Sequence, residues 1–347
     1  MLSNPPFGTP WKAELKAWGD IKKDEITDSR FIIDYDGDPE YSLIPDIGDP
    51  QMLFLANNVS KMKQRTALGS RIIEVHNSSS LSTGAAGSGA SNLRRYIIEN
   101  DMLEAVVALP EKMFYNTGIG TYLWIVTNKK TAVRKGKVQL IDATTLKSTL
   151  KKNIGEKNCE ITPELRKRIV EFYMAFADAD PMYSKIYNNK EFGYYAIDVQ
   201  RPMRLRVKYA MDDISSLKEH SQDDDLVELV EEYSRRVKNL FTDNFDEFMR
   251  QIDITAGEKG VKLTAKRKKL LRDCLTVKEK TAEPVHDAKG NIEADKDLKE
   301  SAQIPMLYVG GIDGYFDAEI KPYIDDAWLD ESSLSIGYEI VFTKYFY

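Results

Sequence analysis

The chain has 347 residues, 42% of them hydrophobic, which is enough for a buried core and, by length, for two domains. Lysine and arginine number 49 against 55 aspartates and glutamates, a net charge of −6. A protein that neutralises phosphates by itself is usually basic, so either nucleic acid is not the ligand or a local patch or a partner subunit supplies the positive charge.

The first residues, Met-Leu-Ser, read as the tail of a strand, and Asn4-Pro5-Pro6-Phe7 follows directly. Asp49 and Pro50 open a helix over 49–64, with Met52, Leu55, Ala56 and Val59 at helical spacing. Residues 71–77 are β-branched and apolar and predict a strand; 78–91 read as a Ser/Gly/Ala loop and 91–101 as a capped helix. Residues 103–110 form a continuous apolar run, as in a strand of a sheet covered on both faces. Two further strands, 120–130 and 137–144, are close enough to be a hairpin. The alternation of strand and helix is an α/β pattern.

After residue 145 the character changes. Thr162 and Pro163 open an amphipathic helix over 161–180. Residues 191–207 are a ribbon rich in Tyr and Arg, and 223–251 and 256–281 read as two long charged helices. Residues 283–301 are polar around Gly290-Asn291, a hairpin tip or a mobile loop. The last segment, 319–347, is dense in aromatics. Cys159 and Cys274 lie far apart and read as free thiols; His76, His220 and His286 have no metal-ligand spacing, so no metal is expected. No apolar run reaches the ~18 residues of a membrane span and no signal peptide is recognisable, so the expectation is a cytoplasmic protein that contacts no membrane.

The opening turn has a chemistry of its own. Pro5 holds Asn4 out of the helical region, and Pro6 does the same to Pro5. A fixed Asn amide oxygen beside a fixed backbone carbonyl makes a pair of acceptors, which suits an exocyclic –NH2 with two protons to donate. Phe7 offers a ring face to a planar heterocycle, and together these groups describe a pocket for a base taken out of a duplex. The bland alternative is an ordinary proline turn.

Asn4-Pro5-Pro6-Phe7 resembles the catalytic motif of adenine-specific amino-methylating DNA methyltransferases. Five segments, 48–63, 71–84, 91–130, 192–206 and 326–347, resemble the methyltransferase (modification) subunit of type I restriction–modification systems. Most of the chain outside 208–305 is covered. The resemblance implies an α/β fold: the latter half of a Rossmann-like methyltransferase sheet in a partial catalytic domain over 1–145, then a mostly helical region for subunit assembly over 146–347. It implies methyl transfer from S-adenosylmethionine to the exocyclic amine of adenine in duplex DNA. By carry-over, Asn4 and the Pro5 carbonyl accept from the amine, Pro6 stiffens the turn and Phe7 stacks on the base. Phe114, Asn116, Thr117, Gly118 and Thr121 match the family's loop beside the base. DNA, a specificity subunit and a restriction subunit are the implied partners.

In that family the cofactor is held mainly by strands that precede the Asn-Pro-Pro-Phe turn, and only three residues precede it here. The glycines of 83–91 fit neither the dinucleotide nor the phosphate-loop spacing. No cofactor-binding residue is assigned, and the chain is expected to be a fragment that is inactive alone. Half a sheet would expose a strand edge, which dimerisation of the fragment would bury. A reading of a different class is a non-catalytic module whose charged helices (223–281) dock on a DNA-reading specificity subunit. A Walker loop with its lysine is not found, which leaves little support for an ATPase.

Overall fold

The computed structural model describes residues 1–6 and 8–346. Phe7 lies outside the described residues. Six strands form the main sheet: β1 (Leu2–Ser3), β2 (Arg71–Asn77), β3 (Leu103–Leu109), β4 (Thr121–Thr127), β5 (Lys137–Asp142) and β6 (Ser184–Asn188). Their spatial order is β1-β2-β4-β3-β5-β6. β1 runs parallel to β2, and β3 runs parallel to β5; β4 is antiparallel to both its neighbours, and β6 is antiparallel to β5. Met-Leu-Ser is a strand, as its sequence suggests, with Leu2 opposite Ile73 and Ser3 opposite Glu74.

All seven residues of β3 are buried, which is why the segment reads as an unbroken apolar run. Three helices cover the sheet: α1 (Pro50–Ser60), α2 (Gly89–Glu99) and α3 (Pro163–Ala175). Met52 and Leu55 of α1 and Leu93 and Ile97 of α2 pack with Ile72, Val106, Trp124 and Val126. Leu165, Ile169 and Phe172 of α3 pack with Val107, Leu109, Ile125 and Ile141. The result is a mixed α/β sheet with helices on both faces. Pro50 stands at the first helical position and the Thr162 hydroxyl accepts from the Leu165 amide, as expected at those two helix starts. α2 begins at Gly89 rather than at Ser91, inside the expected loop, which also holds a short helix, Ser79–Ser82.

The hairpin expected between the 120–130 and 137–144 strands does not form. β4 and β5 flank β3, one on each side. The connection between them passes the start of β3, where the Asp101 carboxylate accepts from the Lys130 ammonium (2.6 Å), the Gly136 amide (3.0 Å) and the Asn189 side chain (3.0 Å). One carboxylate thus ties the crossing chain down.

The chain divides into two compact units. The first comprises Met1–Ala196, Gln303–Tyr315 and the chain from Ser333 on; the second comprises Ile197–Ala302 and Phe316–Ser332. Residues 146–196 therefore fold with the sheet, contributing α3, β6 and a hairpin of strands Ser148–Ile154 and Lys157–Glu160. The two long charged helices expected over 223–281 are three: Asp224–Val237, Phe245–Lys259 and Ala265–Leu275. Lys238 and Gly260 adopt left-handed conformations that end the first two, and the Asn244 and Thr264 side chains cap the starts of the next two. The second unit has its own core, built around Val207, Leu226, Val230, Phe248, Ile252 and Leu271. Around Gly290 the Asp287 amide donates to Asn291 and His286 bridges to Ile292, so this stretch is a hairpin tip.

Candidate active site

β1 ends at Ser3 and its parallel neighbour β2 ends at Asn77, so the turn after β1 and the end of β2 lie side by side. In open α/β sheets ligands sit beyond the carboxyl ends of parallel strands. A cleft of about 750 Å3 lies there, and Asn4, Pro5, Pro6, Phe114, Asn116 and Thr117 line it. Two segments more than a hundred residues apart thus meet at one place. Asn4 and Pro6 are exposed and Pro5 is buried, so the turn is anchored through its first proline. Gly8, Asn77, Tyr115 and Ile119 complete the lining. Gly118 and Thr121 do not line it. Thr121 is buried at the start of β4, and its hydroxyl has no hydrogen-bond partner among the described residues.

The loop carrying Phe114 to Thr117 is held from behind by the 148–160 hairpin. The Glu156 amide donates to the Tyr115 carbonyl (2.9 Å) and the Asn158 amide to that of Lys112 (3.0 Å). Gly155 has φ +59, and a Cβ there would lie 2.5 Å from the Tyr115 carbonyl oxygen, so only glycine allows this approach. Lys157 sits over the Tyr115 ring at 5.3 Å. Within the loop, Phe114 and Thr117 form a bridge and the Ile119 amide donates to the Thr117 hydroxyl (3.3 Å).

Below the cleft runs a polar network. Gln51, fully buried at the start of α1, donates to the Asn77 side-chain oxygen (2.6 Å) and accepts from the Asn77 amide (2.9 Å). Ser79 donates to the same oxygen through its amide (2.9 Å) and its hydroxyl (2.5 Å). The Asp49 carboxylate lies 3.5 Å from the Ser79 hydroxyl, and burial raises its pKa. Arg94, fully buried, donates to the carbonyls of Ser80, Thr83 and Tyr338; burial pushes its pKa down to about 10. His76 and Glu74, both fully buried on β2, are 3.0 Å apart, and the other His76 ring nitrogen has no partner among the described residues.

Two of the three glycines of 83–91, Gly84 and Gly89, face other parts of the chain, and Gly87 faces open space. A Cβ on Gly89 would meet the Ile44 carbonyl at 1.8 Å, and one on Gly84 the Ser88 hydroxyl at 2.4 Å. Gly84 and Gly89 thus serve close packing of the chain. Among the described residues, no group of three His, Cys, Asp or Glu could hold a metal, and no helix is long and apolar enough to cross a membrane.

Sequence reasoning missed Gly8, Asn77, Tyr115 and Ile119 as lining residues. Asn77 could have been found as the last residue of a strand parallel to the one that leads into Asn4. Nothing in the sequence marks Gln51 as its clamp.

The chain is 34% identical over 96 residues to the type I restriction enzyme MjaIX methylase subunit of Methanocaldococcus jannaschii; the match takes in 28% of this chain and 16% of that relative. The MjaVIII methylase subunit of the same organism is 32% identical over 94 residues, 27% of this chain and again 16% of the relative. Among solved structures, the type I restriction–modification methyltransferase subunit from Streptococcus thermophilus aligns at TM-score 0.43 and 21% identity, covering 55% of this chain and 34% of that one. The matches thus span about a sixth of the length of the curated relatives. Residues 1–204, more than half of the chain, match the N-6 DNA methylase family model, and the chain belongs to that family.

Proposed function

We propose that this chain works in a type I restriction–modification methyltransferase, transferring a methyl group from S-adenosylmethionine to the exocyclic amine of adenine in duplex DNA. The observation that carries the reading is the single cleft in which Asn4, Pro5 and Pro6 meet Phe114, Asn116 and Thr117 beyond the ends of parallel strands. In this reading the Asn4 side-chain oxygen accepts one amine proton and the Pro5 carbonyl the other. Accepting both leaves the nitrogen lone pair free to face an electrophile. Pro5, buried, and Pro6 hold those two acceptors in place before the base arrives, so little reorganisation accompanies the reaction. Phe7 and Phe114 supply ring faces for the base; Asn116, Thr117, Gly118 and Thr121 shape the loop beside it.

The reading includes DNA and the specificity and restriction subunits as partners, cytoplasmic residence, and a division of labour between a catalytic part (1–145) and an assembly part (146–347). It also holds that the chain alone does not turn over; methyl transfer by the purified chain would remove that element. Self-association of the chain belongs to it too and is measured by sedimentation. The decisive experiment is Asn4→Ala in the assembled modification complex. Methylation should fall below detection while the complex still assembles and binds DNA. Wild-type methylation by Asn4→Ala would end the reading and leave the non-catalytic assembly module in its place.

A further inference from the structure

We propose that Asn77 is a base-contacting residue, whose side-chain amide donates a hydrogen bond to the ring nitrogen flanking the target amine. The inference rests on the base-pocket reading above and deepens it.

Position is the first argument. Asn77 closes β2 and lines the same cleft as Asn4. The β1–β2 register sets Ser3 against Glu74, so the end of β2 stands next to the turn that holds Asn4.

Polarity is the second. Three donors converge on the Asn77 side-chain oxygen: the Gln51 amide, the Ser79 backbone and the Ser79 hydroxyl, at 2.6, 2.9 and 2.5 Å. Only a carbonyl oxygen satisfies the Gln51 and Ser79 N–H groups at once, so the network itself assigns which end of the carboxamide is which. The nitrogen end carries two protons and makes no hydrogen bond to any described residue. It is a donor left over at the wall of a cleft.

Rigidity is the third. Gln51 holds Asn77 at two points, side chain and backbone, and is itself fully buried. A donor fixed by its supporting residues keeps its direction when the ligand binds.

Chemical complementarity completes the case. Towards the amine, the Asn4 side-chain oxygen and the Pro5 carbonyl act as acceptors, and neither reaches the ring nitrogens that flank it. Adenine carries a lone pair on each ring nitrogen beside that amine, N1 on one side and N7 on the other. A donor beside two acceptors matches amine and lone pair together and fixes the plane and rotation of the base.

The test uses the assembled complex and duplexes whose target adenine is replaced by 1-deazaadenine or 7-deazaadenine. The target is set opposite an abasic site so that pairing is the same in every duplex. The wild type should lose about tenfold in kcat/KM on one analogue, the one lacking the contacted nitrogen, and little on the other. Asn77→Asp keeps an oxygen for Gln51 and Ser79 but replaces the donor by an acceptor. It should lose about tenfold on adenine and no more on the sensitive analogue. Asn77→Ala, which keeps the backbone bond to Gln51, is the second variant should the aspartate disturb folding. A wild type indifferent to both analogues overturns the inference without any variant. So does a variant that discriminates as the wild type does. Asn4→Ala run in parallel separates the two levels: an active Asn4→Ala defeats the base-pocket reading itself, whereas an inactive one beside an analogue-blind wild type defeats only the role of Asn77.

Discussion

Asp49 shows how a single buried carboxyl works in this fold. Its side chain caps no helix amide although Pro50 follows it; it turns instead toward Ser79. Burial raises its pKa, with Gln51, His76, Arg94 and Ser79 pulling the other way. The native state therefore holds the Asp49 proton more tightly than the unfolded chain does. That contribution to stability is complete below the ordinary aspartate value of about 3.9 and is lost as pH rises through the raised native value. At neutral pH the charge is a cost. Asp49→Asn is expected to be more stable than the wild type at pH 8, with the gap narrowing as pH falls towards the ordinary aspartate value of about 3.9. Urea unfolding across that range checks it; a less stable variant with a gap independent of pH would contradict the account. At this scale the Asn4 turn was readable from the sequence because proline restricts its neighbours locally. The Gln51 clamp on Asn77 was not, because it spans 26 residues and depends on how α1 lies over β2.

At the scale of elements, the strands at 71–77, 103–109, 121–127 and 137–142 were legible because each has a run of β-branched and apolar residues, whereas the polar strands Ser148–Ile154, Lys157–Glu160 and Ser184–Asn188 were not read. The order of the strands was not legible either. A short basic turn between 120–130 and 137–144 looks like a hairpin, and only Asp101, in a positive-φ conformation (55°), shows how the chain passes β3 instead. The Lys130 side chain is 1% exposed and Asp101 32% exposed. Burial pushes the Lys130 pKa down although the carboxylate counters it, and Asp101 is held low by its three donors against its own burial. Breaking such a pair strands the buried ammonium. Asp101→Ala should cost about 3 kcal/mol, the low end for a buried pair because the carboxylate is partly hydrated. Lys130→Met in the same background should recover part of that loss, since the stranded charge is then gone. Denaturant unfolding of the single and double variants measures both. An additive double variant would show that the two residues do not act together. The charged helices misled for the opposite reason: their composition is uniform, and the breaks are set by the left-handed residues Lys238 and Gly260 and by two caps.

At the scale of the whole molecule, the sheet core is closed by the far end of the chain. Tyr338, Ile340 and Phe342 belong to the same core as Ile72 and Trp124. The Ile340 amide donates to the Leu81 carbonyl and the Tyr338 amide to the Ser91 hydroxyl, while Arg94 donates to the Tyr338 carbonyl. Deleting residues 333–347 removes an acceptor from a buried guanidinium and uncovers apolar side chains. The shortened protein is expected to lose its cooperative thermal transition and to bind the dye ANS, as loosely packed states do; an unchanged melting temperature would refute this. By itself the sequence determined the apolar strands of the sheet, two helix starts, the Asn-Pro-Pro turn and the α/β class, because periodicity, capping and proline restriction are local properties. Tertiary structure alone decided the strand order, the meeting of residues 4–6 with 114–117 in one cleft, the clamp on Asn77 and the packing of Gly89 and Gly84 against Ile44 and Ser88. Those features rest on contacts between segments distant in sequence or on close backbone approach, and such contacts leave no local trace in residue type or spacing.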